Sequence, residues 1–281
     1  MPSDRGPHPE DADQFGAPQH SQLRAAVRDL SWLRSRGYSG AAPQKLVGDR
    51  YQLKRRQRDA IARSACTDAE RAHRLHVRLS PREVIGREVH IDAFNVLITL
   101  EAALGGAYLF VGRDTAYRDV NPLKGTYRVV RQTRPAIGLL TDTLRSLAPA
   151  SVTWHLDRSV SNVGRLKERL AEASPEGAFA WRLRVAEDVD ATLCNASAPV
   201  VTSDSAILDA TDVWLHLEAL VHHHHTLDAN VVDLRPDGER SPQGLGGNFF
   251  SETLSRTSRL KNCSYLNRTA PLRIAENLFC E

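Results

Sequence analysis

The sequence has very little that could cross-link it. Four cysteines, Cys66, Cys194, Cys263 and Cys280, lie far apart with no C-x-x-C pair, which argues for reduced thiols and against structural zinc. No run approaches the roughly 18 apolar residues that a bilayer-spanning helix needs. The first thirty residues also lack the basic, apolar and small-residue order of a secretory signal. A soluble, cytoplasmic chain without membrane association is therefore expected. A phosphate loop is missing too, since Gly105-Gly106 has neither the spacing nor the lysine of one. Ser159, Ser161 and Ser205 have no histidine placed to activate them, so a serine-hydrolase triad is not expected.

Charge of one sign is scarce overall but concentrated locally. The formal net charge is +3, from 37 basic and 34 acidic residues. Residues 45 to 87 nevertheless hold twelve Lys or Arg against five acidic side chains. Within them, Lys54, Arg55, Arg56 and Arg58 form a dense basic run. It reads either as a solvated helical face or as a surface that meets phosphates, where fixed cations gain affinity by releasing counterions.

With 281 residues and 41% apolar content, the chain can form one main core plus an attached segment. Residues 1–20, rich in Pro, Gly, Asp and His, read as a disordered tail. Leu23, Val27, Leu30 and Leu33 recur at helical spacing and open a basic helical segment over 21–83. From 84 to 234 strand-like and helix-like runs alternate, which predicts an α/β domain with a central parallel sheet between helical layers. Helices are expected at 94–104, 134–147, 162–173 and 186–195, an irregular loop at 112–122, and late strands or helices at 213–220 and 229–234. Residues 235–281 read as a linker and an irregular tail.

Three strand-like runs end in aspartate: 84–92 in Asp92, 151–157 in Asp157 and 198–204 in Asp204. In open α/β sheets ligands bind beyond the carboxyl ends of the strands. Clustered carboxylates repel unless a cation joins them, and oxygen-only ligands favour Mg²⁺ or Mn²⁺. Each such aspartate taken singly also suits a helix cap. The tract His222–His225 reads as a solvated loop.

Ile91-Asp92-Ala93-Phe94-Asn95 resembles the opening of PIN and NYN-type nucleases, whose first strand ends in Asp with Asn three residues on. Asp190-Ala191-Thr192-Leu193-Cys194-Asn195, followed by Val200-Val201-Thr202-Ser203-Asp204, is similar to the second half of that fold. Arg36-Gly37-Tyr38, Leu46-Val47-Gly48-Asp49-Arg50-Tyr51 and Gln57-Arg58 resemble an uncharacterised prokaryotic family (DUF434/DUF5616-like) that joins a basic helical segment to such a domain. The nuclease resemblance implies Asp92, Asp190 and Asp204 as catalytic metal ligands, with Asn95 orienting Asp92 or a phosphate. The family's remaining acidic position falls to Asp157, with Asp114 or Asp119 as alternatives. The implied activity is Mg²⁺- or Mn²⁺-dependent hydrolysis of phosphodiester bonds in RNA, or in DNA, with the oligomeric state left open. An inactive nucleic-acid-binding module and a small-molecule phosphohydrolase are the alternatives.

Overall fold

Val89 and Ile91 alternate with His90 and Asp92 along β1 (Glu88–Asp92), so one face of this strand is apolar and the other polar. In the computed structural model, which describes residues 4–120 and 126–239, β1 lies inside a four-stranded parallel sheet. It pairs with β4 (Ser151–Asp157) from Glu88 opposite Ser151 to Asp92 opposite His155. On its other side it pairs with β6 (Val200–Val201). β5 (Ala180–Ala186) adds outside β4, giving the order β5-β4-β1-β6.

The expected α/β architecture is thus present, with strands from the three Asp-terminated runs in parallel, although β1 begins only at Glu88, after a 3-10 turn at Pro81–Val84, and β6 ends at Val201, three residues before Asp204. Because the strands are parallel, their carboxyl ends share one edge of the sheet. The sequence reading overlooked β5, although Trp181, Leu183 and Val185 alternate with Arg182 and Arg184 in the two-residue period of a strand.

Helices cover both faces. Val89, Ile91, Val152, Trp154 and Leu156 join one core with residues of α6 (Ala93–Leu104), α7 (Thr133–Leu147), α8 (Val163–Glu172) and α11 (Leu217–His225). On the other side, Val189 and Leu193 of α9 (Val189–Cys194) and Ile207 of α10 (Ser205–Ala210) cluster with Val200. α6 is apolar almost all round and buried over most of its length, as a helix behind a sheet must be.

A second, three-stranded sheet departs from the expected layout. β2 (Tyr108–Val111) pairs antiparallel with β3 (Tyr117–Arg118) and parallel with β7 (Asn230–Asp233). β3 falls in the stretch expected to be an irregular loop, and the residues around it are mostly buried. Phe110, Val120, Val232 and Leu234 share a core with Leu23, Val27 and Leu30 of α2 (His20–Arg34) and Ile61 of α4 (Arg55–Ser64). α3 (Ala41–Arg50) and α5 (Asp68–His76) complete the helical segment. That segment therefore has no core of its own: its apolar face is closed by strands from the α/β part.

Residues expected to be a disordered tail also differ. α1 (Asp11–Phe15) is a helix, and Phe15 is fully buried against Phe110 at a ring-centroid distance of 4.7 Å. One aromatic anchor and the buried Asp11–Arg56 pair order a stretch that composition alone marks as apolar-poor. The histidine tract is the last turn of α11 rather than a loop, with the His225 ring 3.1 Å from the carbonyl of Leu139. Of the linker and tail expected over 235–281, Asp237–Glu239 form a 3-10 turn, and the part from 240 onward lies outside the described residues.

Candidate active site

A cavity of about 350 Å³ opens at the carboxyl ends of the parallel strands. Asp92, Asp157, Asp190 and Asp204, far apart in sequence, all line it, together with Asn95. The strand ends deliver Asp92 and Asp157, the short loop after β6 brings Asp204, and the first turn of α9 brings Asp190. Asp119, one of the alternatives for the remaining acidic position, lines the same cavity. Asp114, the other alternative, does not. It is buried between Arg74 and Arg118 at 2.6 and 2.7 Å. Asp188 is not in the cavity either, and instead caps α9 by accepting from the backbone N–H of Ala191.

Capping and convergence occur together. Asp92 caps α6, its Oδ1 accepting from the N–H of Asn95 at 3.4 Å. Asp204 caps α10 through the N–H groups of Ala206 and Ile207 at 2.8 and 3.4 Å. Asp157 accepts from the N–H of Ser159 at 2.8 Å. The two caps and the Asp157 turn each engage one carboxylate oxygen, which fixes the side chain without consuming it.

Thr202 connects the strand ends. Its hydroxyl donates to Asp92 Oδ2 at 3.0 Å and accepts from the N–H of Asp204 at 3.1 Å. The Asn95 side chain acts on the same loop: its Oδ1 accepts from the Ser203 N–H at 2.7 Å and from the Ser203 hydroxyl at 2.8 Å. Asn95 thus touches Asp92 through its backbone N–H and holds the segment that carries Asp204 through its side chain.

The electrostatics follow from burial and like charge. Burial pushes the Asp92 carboxyl up to about 7, the bonds from Thr202 and Asn95 oppose that, and the negative charges of Asp190 and Asp204 reinforce it. Asp190 is shifted upward by burial and then by Asp204, Asp157 and Asp188. The carboxylates therefore sense one another across the cavity.

Their donor chemistry fits a hard divalent cation, since every acid here offers oxygen only. The spacing is looser: among the described residues no group of three or more His, Cys, Asp or Glu side chains is drawn together tightly enough to hold a metal ion. The side chains would have to close inward around one.

Two residues of the basic run, Arg56 and Arg58, are in ion pairs. Arg56 is bound to Asp11 through Nε at 2.8 Å and Nη2 at 3.0 Å. Arg58 pairs with Asp49 at 2.9 Å and donates to the Leu53 carbonyl. Lys54 and Arg55 stay exposed at the start of α4. The cavity instead receives Arg63, from the last turn of α4. Arg63 was not singled out, because one arginine among many on an amphipathic helix carries no sequence signal for a site some thirty residues away in the chain. Thr202 sat in a quoted motif, but its bridging role depends on the β1–β6 pairing.

Residues 22–76 match the family model described as "Protein of unknown function (DUF434)", and residues 81–220 match "Domain of unknown function (DUF5616)". An uncharacterised protein of Methanocaldococcus jannaschii is 29% identical over 191 residues, 68% of this chain and 91% of the relative. No solved structure matches. The boundary between the two family matches falls just after α5, so the second match holds β1 and every carboxylate of the cavity, while the first holds Arg63. The chain is thus similar to a DUF434 segment over residues 22–76 and to a DUF5616 domain over residues 81–220.

Proposed function

We propose that the cavity is the active site of a PIN/NYN-like, Mg²⁺- or Mn²⁺-dependent nuclease that hydrolyses phosphodiester bonds, with RNA as the first substrate to examine. The observation that carries this reading is the arrival of Asp92, Asp157, Asp190 and Asp204 in one cavity at the carboxyl edge of a parallel sheet. The resemblance of the Ile91–Asn95 and Val200–Asp204 stretches to those nucleases supports it.

Asp92, Asp190 and Asp204 would hold the cation, with Asp157 beside them. When bound, such an ion lowers the pKa of a water and neutralises charge on a phosphate. The chain's own residues set up the rest. Thr202 keeps Asp92 aimed into the cavity, and Asn95 fixes the Ser203 backbone that precedes Asp204. The upward-shifted Asp92 is a carboxyl that an added positive charge would readily ionise.

A nucleic-acid-binding module without activity is the second reading. The loose spacing of the carboxylates among the described residues favours it. One experiment separates the two: labelled RNA and DNA incubated with Mn²⁺ and wild-type protein or Asp92→Asn, with binding measured in parallel. The nuclease reading expects wild-type cleavage that Asp92→Asn abolishes while binding persists. Binding with no metal-dependent cleavage would move the assignment to the inactive module. Neither binding nor cleavage would leave a small phosphorylated substrate.

A further inference from the structure

A second cavity, of about 420 Å³, adjoins the first. Asp204 and Ser205 are neighbours in the chain, yet Asp204 lines the first cavity and Ser205 the second; Arg63 and Ala65 divide in the same way. The end of α4 and the start of α10 therefore form a shared ridge. On its far side lie Arg34, Tyr38, Thr67 and Glu70, all from the helical segment.

Among the charged groups lining this second cavity, Asp209 and Arg74 are committed to each other, whereas Arg34 has no ion pair among the described residues. Asp209 is bound by Arg74 through Nε and Nη2 at 2.8 and 2.9 Å. Glu70 accepts from the Thr67 N–H at 2.7 Å in a capping box. Arg34 is held through Nη1 by two neutral carbonyls, those of Ala62 and Ala65 at 3.1 and 2.5 Å, which position its guanidinium within the field of the Glu70 carboxylate. Arg63 on the ridge is exposed, with no ion pair among the described residues. Tyr38 is 59% exposed in a turn flanked by Gly37 and Gly40, whose φ values of 86° and 72° suit glycine. A large aromatic ring held out on a tight turn beside available arginines is a stacking platform next to a phosphate path.

We propose that this second cavity is a subsite for the nucleotide adjoining the scissile phosphate of a single-stranded nucleic acid. Arg63 contacts the backbone as it crosses the ridge, Arg34 meets the next phosphate, and Tyr38 stacks on the base. The proposal rests on reading the carboxylate cavity as a phosphodiester site. It gives the helical segment a direct part in substrate binding and moves that part away from the Lys54–Arg58 run.

The test uses the full chain and fluorescently labelled single-stranded oligonucleotides of increasing length, in EDTA to prevent cleavage, with anisotropy read at several salt concentrations. The variants are Tyr38→Ala, Tyr38→Phe, Arg63→Ala and Arg34→Ala. Tyr38→Ala should weaken binding roughly 5-fold or more, and Tyr38→Phe should restore it, because the ring and not the hydroxyl does the stacking. Arg63→Ala should flatten the log–log salt slope by about 0.7, the value for one contact to a single strand. A duplex competitor should bind less well, since paired bases cannot reach Tyr38. Wild-type-like affinity in Tyr38→Ala, or equal binding of duplex, would overturn the subsite even if Mn²⁺-dependent cleavage is found. Tyr38-dependent binding without any cleavage would keep the subsite and overturn the catalytic reading instead.

Discussion

Arg74 of the helical segment reaches Asp114 of the α/β part with Nη1 2.6 Å from Oδ2, both side chains buried. Arg118 completes the cluster with two bonds of 2.7 Å to the same carboxylate, and Arg74 also binds Asp209. Burial works against the charge on Asp114, but Arg118 and then Arg74 outweigh it and hold the carboxyl well below its usual range. This network fastens the helical segment to the α/β part.

Breaking that network from one side should be costly. Arg74→Met leaves Asp209 unpaired and removes one of two guanidinium partners of a buried carboxylate, which should cost about 3–5 kcal/mol. Urea unfolding of the variant measures it. A loss under about 1 kcal/mol would mean that Arg118 alone satisfies Asp114.

Phe15 makes the first twenty residues part of the fold. Phe15→Ala removes a fully buried ring packed on Phe110 and should destabilise the protein by about 3–5 kcal/mol. Limited proteolysis should then cut before α2 in the variant and spare that region in the wild type. Equal resistance in both would show that α1 is not held by this contact.

Glu218 predicts a pH dependence. Both of its carboxylate oxygens are buried without a hydrogen-bond partner, and burial pushes its carboxyl from 4.5 up to about 7. An acid raised in the folded state contributes stability that is complete below about 4.5 and lost as pH rises through about 7. Glu218→Gln should therefore gain on wild type across that window, by on the order of 3 kcal/mol at the alkaline end. His155 and His216, pushed down by burial to about 4 and about 3, act in the opposite sense, so the difference between variant and wild type is the quantity to read. A flat difference curve would refute the assignment.

Metal linkage should appear as heat stability. A cation at a hundred times its Kd stabilises the folded state by about 2.7 kcal/mol, so Mn²⁺ should raise Tm in wild type and much less in Asp204→Asn. Alanine at His222, His223, His224 and His225 should leave the shift intact. If those four substitutions abolish it instead, the ion binds on α11 and not among the carboxylates.

Much of the site was legible before the fold. A strand-like run that ends in an acid, repeated at Asp92, Asp157 and Asp204, has a single consequence once the strands are parallel, because parallel pairing puts equivalent ends on one edge. Asp190, in the first turn of α9, lines the cavity, while Asp188 is taken up as the cap of that helix. The pairing within the basic run was not legible, for the opposite reason. Arg56 and Arg58 are spent on Asp11 and Asp49, partners 45 and 9 positions away that no local pattern announces.

By itself the sequence determined the βα alternation, the helical opening segment and the acidic strand ends, because periodicity and capping act over a few residues. Only the tertiary structure decided that residues 230–234 close the core of residues 15–61, that Thr202 bridges Asp92 and Asp204, and that Arg63 joins the carboxylate cavity. Those are contacts between chain-distant surfaces. Their partners are chosen by shape and burial after the elements form, and neither leaves a period or a motif in the chain.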